Sequence, residues 1–232
     1  MQFRPLPLFS LASLVMLAAL VGLGHWQMQR LAWKEALIAQ VNRNLTAPPL
    51  TLAEALRLGK AAEYRRVTVS GSFDHGKEAY VYGTADGAPV LHVITPLRTK
   101  TGTLLVDRGI VTLQMRDPAR RQAGQVTGEV HATGLWRYPD PPGLFTPKPD
   151  LAKRLWFSRD VTAMAAGTKL VAPVLVEADA SPNPGGWPKG GHSVVNFPNR
   201  HLEYALTWYG LALALVGVYI ALHISKGRLR FR

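Results

Sequence analysis

The sequence predicts an α+β membrane protein: a two-helix transmembrane hairpin with an antiparallel, β-rich, barrel-like domain inserted between the helices and held outside the cytoplasm. Three observations predict it. Two stretches are free of formal charge, residues 5–29 between Arg4 and Arg30, and residues 204–225 between Glu203 and Lys226. Each exceeds the roughly 20 apolar residues needed to cross a bilayer core. The chain between them alternates apolar and polar residues at the two-residue period of half-buried strands. Basic residues crowd the ends, with Arg4 before the first run and Lys226, Arg228, Arg230 and Arg232 after the second. Short Lys/Arg-rich flanks stay cytoplasmic, so both termini are expected inside. The predicted division is 6–28 for the first transmembrane helix, 29–203 for the extracytoplasmic domain, 204–225 for the second helix and 226–232 for a basic cytoplasmic tail.

The competing reading of the first run is a cleaved signal peptide. Its apolar part, Leu6 to Leu23, is longer than a usual signal core, and Trp26, Gln27 and Arg30 do not resemble a small-residue cleavage site. A buried core helix competes for the second run. The Trp208/Tyr209 belt and the basic tail argue against it.

After Arg30 the helical spacing persists through Trp33, Leu37 and Val41 to about Asn44, and Pro48–Pro49 ends it. Thr51–Leu52–Ala53–Glu54 fits a capping box opening a short helix that closes near Gly59. From Arg65 the period changes. Val67, Val69, Gly71 and Phe73 read as a strand, Asp74–Lys77 as a turn, and Ala79–Tyr82 and Val90–Thr95 as strands split by a Gly83–Pro89 loop. Thr103–Val106 and Ile110–Leu113 read as strands flanking Asp107–Arg108–Gly109. Val126–Trp136 and Val171–Val176 read as two more. Residues 67–73 and 130–136 echo each other, each with an interior glycine two residues before an aromatic, which suggests two corners of a small barrel. Pro139, Pro141, Pro142, Pro147 and Pro149 punctuate a loop. Asp160 caps a short helix closed by Gly167. Ser181–Gly191 reads as a mobile loop leading back to the membrane.

The balance of 27 Lys and Arg against 15 Asp and Glu, +12 overall, fits nucleic acid, anionic lipid or an acidic ligand. The predicted topology selects membrane lipid and argues against nucleic acid, because most of the charge never meets it. With no cysteine, disulfides, zinc-thiolate sites, covalent c-type haem attachment and cysteine nucleophiles are excluded. No nucleophile elbow, zinc-protease motif, P-loop or dinucleotide fingerprint is present, so no enzyme is indicated. Asp107–Arg108 and Arg159–Asp160 read as ion pairs or strand-end contacts. The seven histidines are scattered, and none is paired at the i, i+4 spacing of a helical metal site. His223 reads as a headgroup contact at the cytoplasmic end of the second helix.

His25 and His201 stand apart, at the outer edge of the first and second helix. His201 shares a helix face with Tyr204, Ala205 and Trp208. An imidazole backed by alanine and bordered by aromatics can coordinate the iron of a flat apolar macrocycle. It can equally bond headgroups or Glu203, and the residues alone leave both readings open. Arg30 and Arg200 suit either propionate-like anions or lipid phosphate.

Several stretches taken together resemble a known family. They are residues 23–30 (Leu-Gly-His-Trp-Gln-Met-Gln-Arg) with Trp33–Lys34, residues 66–73, Thr95–Pro96–Leu97, Val106–Asp107–Arg108–Gly109, Trp156–Phe157 with Arg159–Asp160, and residues 199–209 (Asn-Arg-His-Leu-Glu-Tyr-Ala-Leu-Thr-Trp-Tyr). In this order, between two membrane helices, they resemble the Surfeit-locus family of cytochrome c oxidase assembly proteins in its bacterial form. The likeness covers nearly the whole chain. It implies a non-enzymatic role: binding haem a and assisting its insertion into the catalytic subunit of terminal oxidase, with haem A synthase as a further partner, at the bacterial cytoplasmic membrane with the main domain periplasmic. The family motif N-x-H-L-x-Y implies His201 as the haem iron ligand. Trp26, Gln27, Arg30, Tyr204 and Trp208 occupy the surrounding motif positions, and His25 is the candidate second ligand. The alternative is a haem-independent chaperone that scaffolds oxidase subunits. Ile110 departs from the tryptophan often found after the Arg-Gly pair, and Glu203 from the more usual glutamine.

Overall fold

A computed structural model describes residues 2–139, 142–193, 195 and 197–230. Pro141 of the proline-rich loop and Arg232 of the tail lie outside these residues. In chain order the elements are β1 (Gln2–Phe3), α1 (Pro7–Thr46), β2 (Leu50–Thr51), α2 (Leu52–Leu58), β3 (Arg66–Phe73), β4 (Ala79–Ala85), β5 (Ala88–Thr99), β6 (Gly102–Thr112), β7 (Val130–Arg137), β8 (Leu155–Trp156), α3 (Val161–Met164), β9 (Leu170–Ala178), α4 (His201–Ser225) and β10 (Leu229–Arg230). They form two compact units, Met1–Gln40 with Asn196–Arg232, and Val41–Val195.

The first unit is an antiparallel helix pair. Both helices are long and apolar enough to cross a membrane. Along α1 the shielded positions are Ser13, Leu17, Leu20, Gly24, Gln27, Leu31 and Lys34; along α4 they are His201, Ala205, Trp208 with Tyr209, Ala212, Leu215, Tyr219 and Leu222 with His223. Alternating steps of four and three are the 3.5-residue repeat of a coiled-coil seam. Small residues on that seam let the helices approach closely, as apolar helices require when no water drives them together. Ser10 Oγ bonds Tyr219 Oη at 2.6 Å, and the Phe9 and Tyr219 rings stack at 5.7 Å. A Cβ on Gly24 would sit 2.6 Å from the Tyr209 ring.

At the far end of the pair β1 and β10 join antiparallel, and Arg4 N–H donates to the Arg228 carbonyl at 2.9 Å. This clasp corrects the reading of His223. Instead of facing headgroups, its side chain is fully buried. Nδ1–H donates to the Tyr219 carbonyl at 2.8 Å, Nε2 accepts from Leu6 N–H at 3.5 Å, and Phe3 packs over the ring at 5.4 Å.

The second unit contains a closed five-stranded barrel, β3–β7–β9–β6–β5, closed by the β3–β5 pairing. The sheet is mixed rather than antiparallel. β6 and β9 run parallel, as do β2 with β3 and β4 with β8. Parallel pairing needs a long crossover, and the whole segment from β7 through α3 supplies one. The two echoed glycines sit where a strand changes neighbours. A Cβ on Gly71 would lie 2.2 Å from the Arg98 carbonyl oxygen, and one on Gly134 2.4 Å from that of Glu177.

Alternation sorts the core. Val67, Val69, Leu97, Leu104, Val106, Trp136, Val174 and Val176 fill one cluster. Residues between them in sequence, including Leu105 and Leu175, face the other way and pack with Ala79, Val81, Trp156, Val161 and Met164. The α2 capping box forms as expected, and Asp160 Oδ1 caps α3 by accepting from Ala163 N–H at 3.0 Å.

Three sequence expectations change. The Gly83–Pro89 loop is a tight hairpin, because Asp86 and Gly87 take φ of 51° and 76°, the left-handed pair of a type I′ turn. Asp107–Arg108–Gly109 does not separate two strands but forms a bulge inside one continuous strand, β6, where the register against β5 shifts and Gly109 takes φ 113°. The bulge sends Asp107 and Arg108 to different partners instead of to each other. The Ser181–Gly191 segment is stitched to β6 through mutual backbone bonds between Ile110 and Lys189 of 2.8 and 3.0 Å.

Arg108 enters a buried ionic cluster that sequence spacing did not reveal. Glu78 accepts from Arg121 at 2.6 Å, from Arg108 at 3.4 Å and from Gln125 at 3.2 Å. Burial pushes the Glu78 carboxyl up, but the bonds and charges of Arg121, Gln125 and Arg108 outweigh it and hold it below the usual carboxylate range. Burial lowers Arg108 to about 10, against the raising effect of Glu78, so it stays charged at neutral pH.

Candidate functional site

The seam of the helix pair carries one imidazole and one amide at its open end. α4 begins at His201, and its first turn is marked by Asn199 Oδ1, which accepts from His201 N–H at 3.4 Å. Glu203 adds negative charge in that turn, which suits the positive end of the helix dipole. The ring of His201 turns inward across the seam. Its Nδ1 lies 2.7 Å from Gln27 Oε1 on α1. An amide oxygen can only accept, so Nδ1 carries a proton, and in the neutral ring the lone pair is on Nε2. Glu203 is exposed and takes no part in this bond.

Gln27 owes its place to the seam. It lies between Gly24 and Leu31 in the shielded stripe, three residues after the glycine that lets Tyr209 pack close. A glutamine in the stripe of an otherwise apolar helix is costly unless its polar atoms are bonded. That is the signal by which the sequence could have identified Gln27 as the partner of His201.

The other candidates divide around this bond. Ala205, one turn on, is fully buried, and Trp208 is half-buried on the same stripe. Tyr204 is exposed beside them. On α1 the Arg30 guanidinium lies 5.8 Å from the Trp26 ring and 5.1 Å from that of Trp33, an aromatic–cation ladder on the face next to the seam. Both indoles are about half exposed. His25 is not brought to His201. It lies off the seam, where Gln29 Nε2 donates to its Nε2 at 3.1 Å. Arg200 precedes α4 without a side-chain capping bond.

The arrangement can hold a metal by one imidazole. Among the described residues no group of three or more His, Asp or Glu side chains could cage a bare ion. A single oriented Nε2 instead suits a metal that brings its own equatorial ligands, as haem iron does.

The sequence pattern of the SURF1 family matches residues 14–213. The chain belongs to the SURF1 family. The match takes in both sides of the His201–Gln27 bond and the entire barrel. SURF1-family relatives include Surfeit locus protein 1 of Homo sapiens, 37% identical over 212 residues, covering 83% of this chain and 70% of that protein. Surfeit locus protein 1 of Takifugu rubripes is 35% identical over 227 residues, covering 90% and 94%. The SURF1-like protein of Drosophila melanogaster is 32% identical over 217 residues, covering 85% and 71%.

Proposed function

We propose that this SURF1-family chain is a membrane-anchored assembly factor of cytochrome c oxidase that binds haem a through His201 and presents it to the catalytic subunit. The observation that carries the reading is the 2.7 Å bond from His201 Nδ1 to Gln27 Oε1. A ring nitrogen held by its N–H leaves the opposite lone pair fixed in direction, which is how proteins prepare a histidine for a metal.

Haem a, when bound, would supply an iron able to take a nitrogen ligand. The chain's residues would do the rest. His201 would provide that nitrogen. Gln27 fixes its tautomer and orientation. Trp208 and Tyr204 offer an apolar flank, and the exposed Trp26–Arg30 ladder offers a cation for the acidic edge of the cargo. His25 would become a second ligand through Nε2 only if it gave up Gln29. The role needs no catalytic step.

The proposed setting is the bacterial cytoplasmic membrane, with the barrel on the periplasmic side and both termini in the cytoplasm, where the basic residues after α4 meet anionic lipid. The joined ends of β1 and β10 support the hairpin. The proposed partners are the oxidase catalytic subunit and haem A synthase.

The test is to purify the protein from cells that make haem A. Wild type should carry a Soret band, and His201→Ala should lose it. If His201→Ala keeps the band, His201 is not the ligand. If no variant carries haem and oxidase still co-purifies, the haem-independent scaffold stands in its place.

A further inference from the structure

Two of the motif stretches that the helix pair leaves unused, Asp107 on β6 and Phe157 to Arg159 after β8, meet on the barrel beside His92 of β5. His92, Phe157 and Arg159 line a cleft of about 400 Å³, with Arg137, Glu177 and His192. A smaller recess shares His92, Arg159, Glu177 and His192 and reaches Asp107. The volume is at the small end of ligand sites.

The cleft is built, not incidental. Asp107 is buried, and its Oδ2 lies 2.8 Å from His92 Nδ1. Its other oxygen accepts from Gly109 N–H at 2.9 Å, so the β6 bulge itself locks the carboxylate. Bulges often re-aim side chains at sites. The ring is thereby turned so that Nε2 faces Gly83. A Cβ there would stand 3.2 Å from Nε2. Gly83 lies in the middle of β4 and has no left-handed φ; what its missing side chain leaves is space in front of the imidazole.

Arg159 has charge partners but, among the described residues, no hydrogen bond to its guanidinium. Its Nη2 stands 3.6 Å from Glu177 and 3.8 Å from Asp107, near enough for charge and beyond hydrogen-bond reach. Its Nε is buried with no hydrogen-bond partner. The side chain as a whole is partly exposed and lines the cleft, and its planar guanidinium fork matches a carboxylate or phosphate. A bare metal ion is a poor occupant, since no suitable side-chain group exists among the described residues.

We propose that this cleft is a second ligand site, taking a small molecule by a terminal oxyanion on Arg159, with His92 Nε2 meeting an adjoining polar atom of the same molecule. The site belongs wholly to the barrel unit and does not depend on haem binding. Asp107 and Glu177 oppose an anion, but Arg159 and Arg137 lie on the same surface, and Asp107 is already engaged.

Full-length protein in detergent tests this by calorimetric titration with succinate, with inorganic phosphate and with neutral succinamide, followed by the His92 ring-nitrogen NMR signals. At least one anion should bind saturably, and succinamide at least tenfold more weakly; which anion binds separates a carboxylate from a phosphate source. Arg159→Gln and Gly83→Val should each weaken binding at least tenfold, the first by removing the fork and the second by filling the space. Arg98→Gln, on an exposed arginine paired with Asp74, and His201→Ala should bind as wild type does. Far-UV circular dichroism establishes that each variant is folded. Absence of saturable binding by both anions overturns the proposal, as does wild-type affinity in folded Arg159→Gln or Gly83→Val.

Discussion

The helix pair and the barrel each hold a histidine by Nδ1, and they hold it with different acceptors. In the helix pair the acceptor is the neutral amide of Gln27, at 2.7 Å. In the barrel it is the buried carboxylate of Asp107, at 2.8 Å. The distances are nearly equal, so the difference lies in charge. An amide orients the ring without charge, and the free lone pair suits a metal. A carboxylate orients it inside a network that already includes Arg159 and Glu177, which suits a polar, charged ligand. The surroundings differ to match. The helix seam is lined by Gly24, Ala205 and Trp208, whereas the barrel encloses several ion pairs besides.

The largest change that separates the two regions is Glu78→Gln. It leaves Arg108 and Arg121 buried without their carboxylate, at an expected cost of about 3–5 kcal/mol. Chemical unfolding followed by tryptophan fluorescence should show the barrel destabilised, while the haem spectrum of the helix pair persists. The same residue sets a pH dependence. Its carboxyl is held below the ordinary glutamate value of 4.5, so its stabilisation is complete above 4.5 and is lost as pH falls through the lower, folded value. A stability–pH profile should therefore drop on the acid side in wild type and be flatter in Glu78→Gln.

Smaller effects probe the helix pair. Gln27→Ala removes the bond that orients His201, and loss of such a supporting bond typically costs about 10–100-fold in metal affinity. Haem titration should find that loss with the Soret position little changed. Gln27→Glu gives the helix pair the acceptor type of the barrel. It should retain haem with a lower reduction potential, read by spectroelectrochemistry, because a carboxylate makes the imidazole a stronger donor. The smallest effect is Thr51→Ala. It deletes the capping box of α2 and should cost about 1 kcal/mol of barrel stability with no effect on either ligand.

The elements legible in the sequence were those set by local rules. The capping box at Thr51–Glu54, the Asp160 cap and the long apolar helices follow from residues a few positions apart. The barrel corners were legible as well, since Gly71 and Gly134 stand out against their strands. The parallel pairing of β6 with β9 joins residues about 70 apart in the chain, and no local pattern encodes it. The β6 bulge read as a break between two runs because the polar Asp-Arg-Gly interrupts the apolar pattern; only the pairing with β5 shows one continuous strand. At the helix pair, His201 stood out from its neighbours and from the family resemblance, whereas its bond to Gln27 spans 174 positions. His223 misled because burial came from the chain ends folding over it. The cleft around His92 and Arg159 was hidden for the same reason as the β6–β9 pairing: its residues come from β4, β5, β6, β9 and the segment after β8.

The central claim is that His201 Nε2 is an axial ligand prepared by Gln27. Chemical rescue tests it most directly. His201→Gly, purified from cells that make haem A, should lack the Soret band, and millimolar imidazole with added haem a should restore it, because the space and the Gln27 acceptor remain. A Soret band in His201→Gly equal to wild type before any imidazole is added would contradict the account.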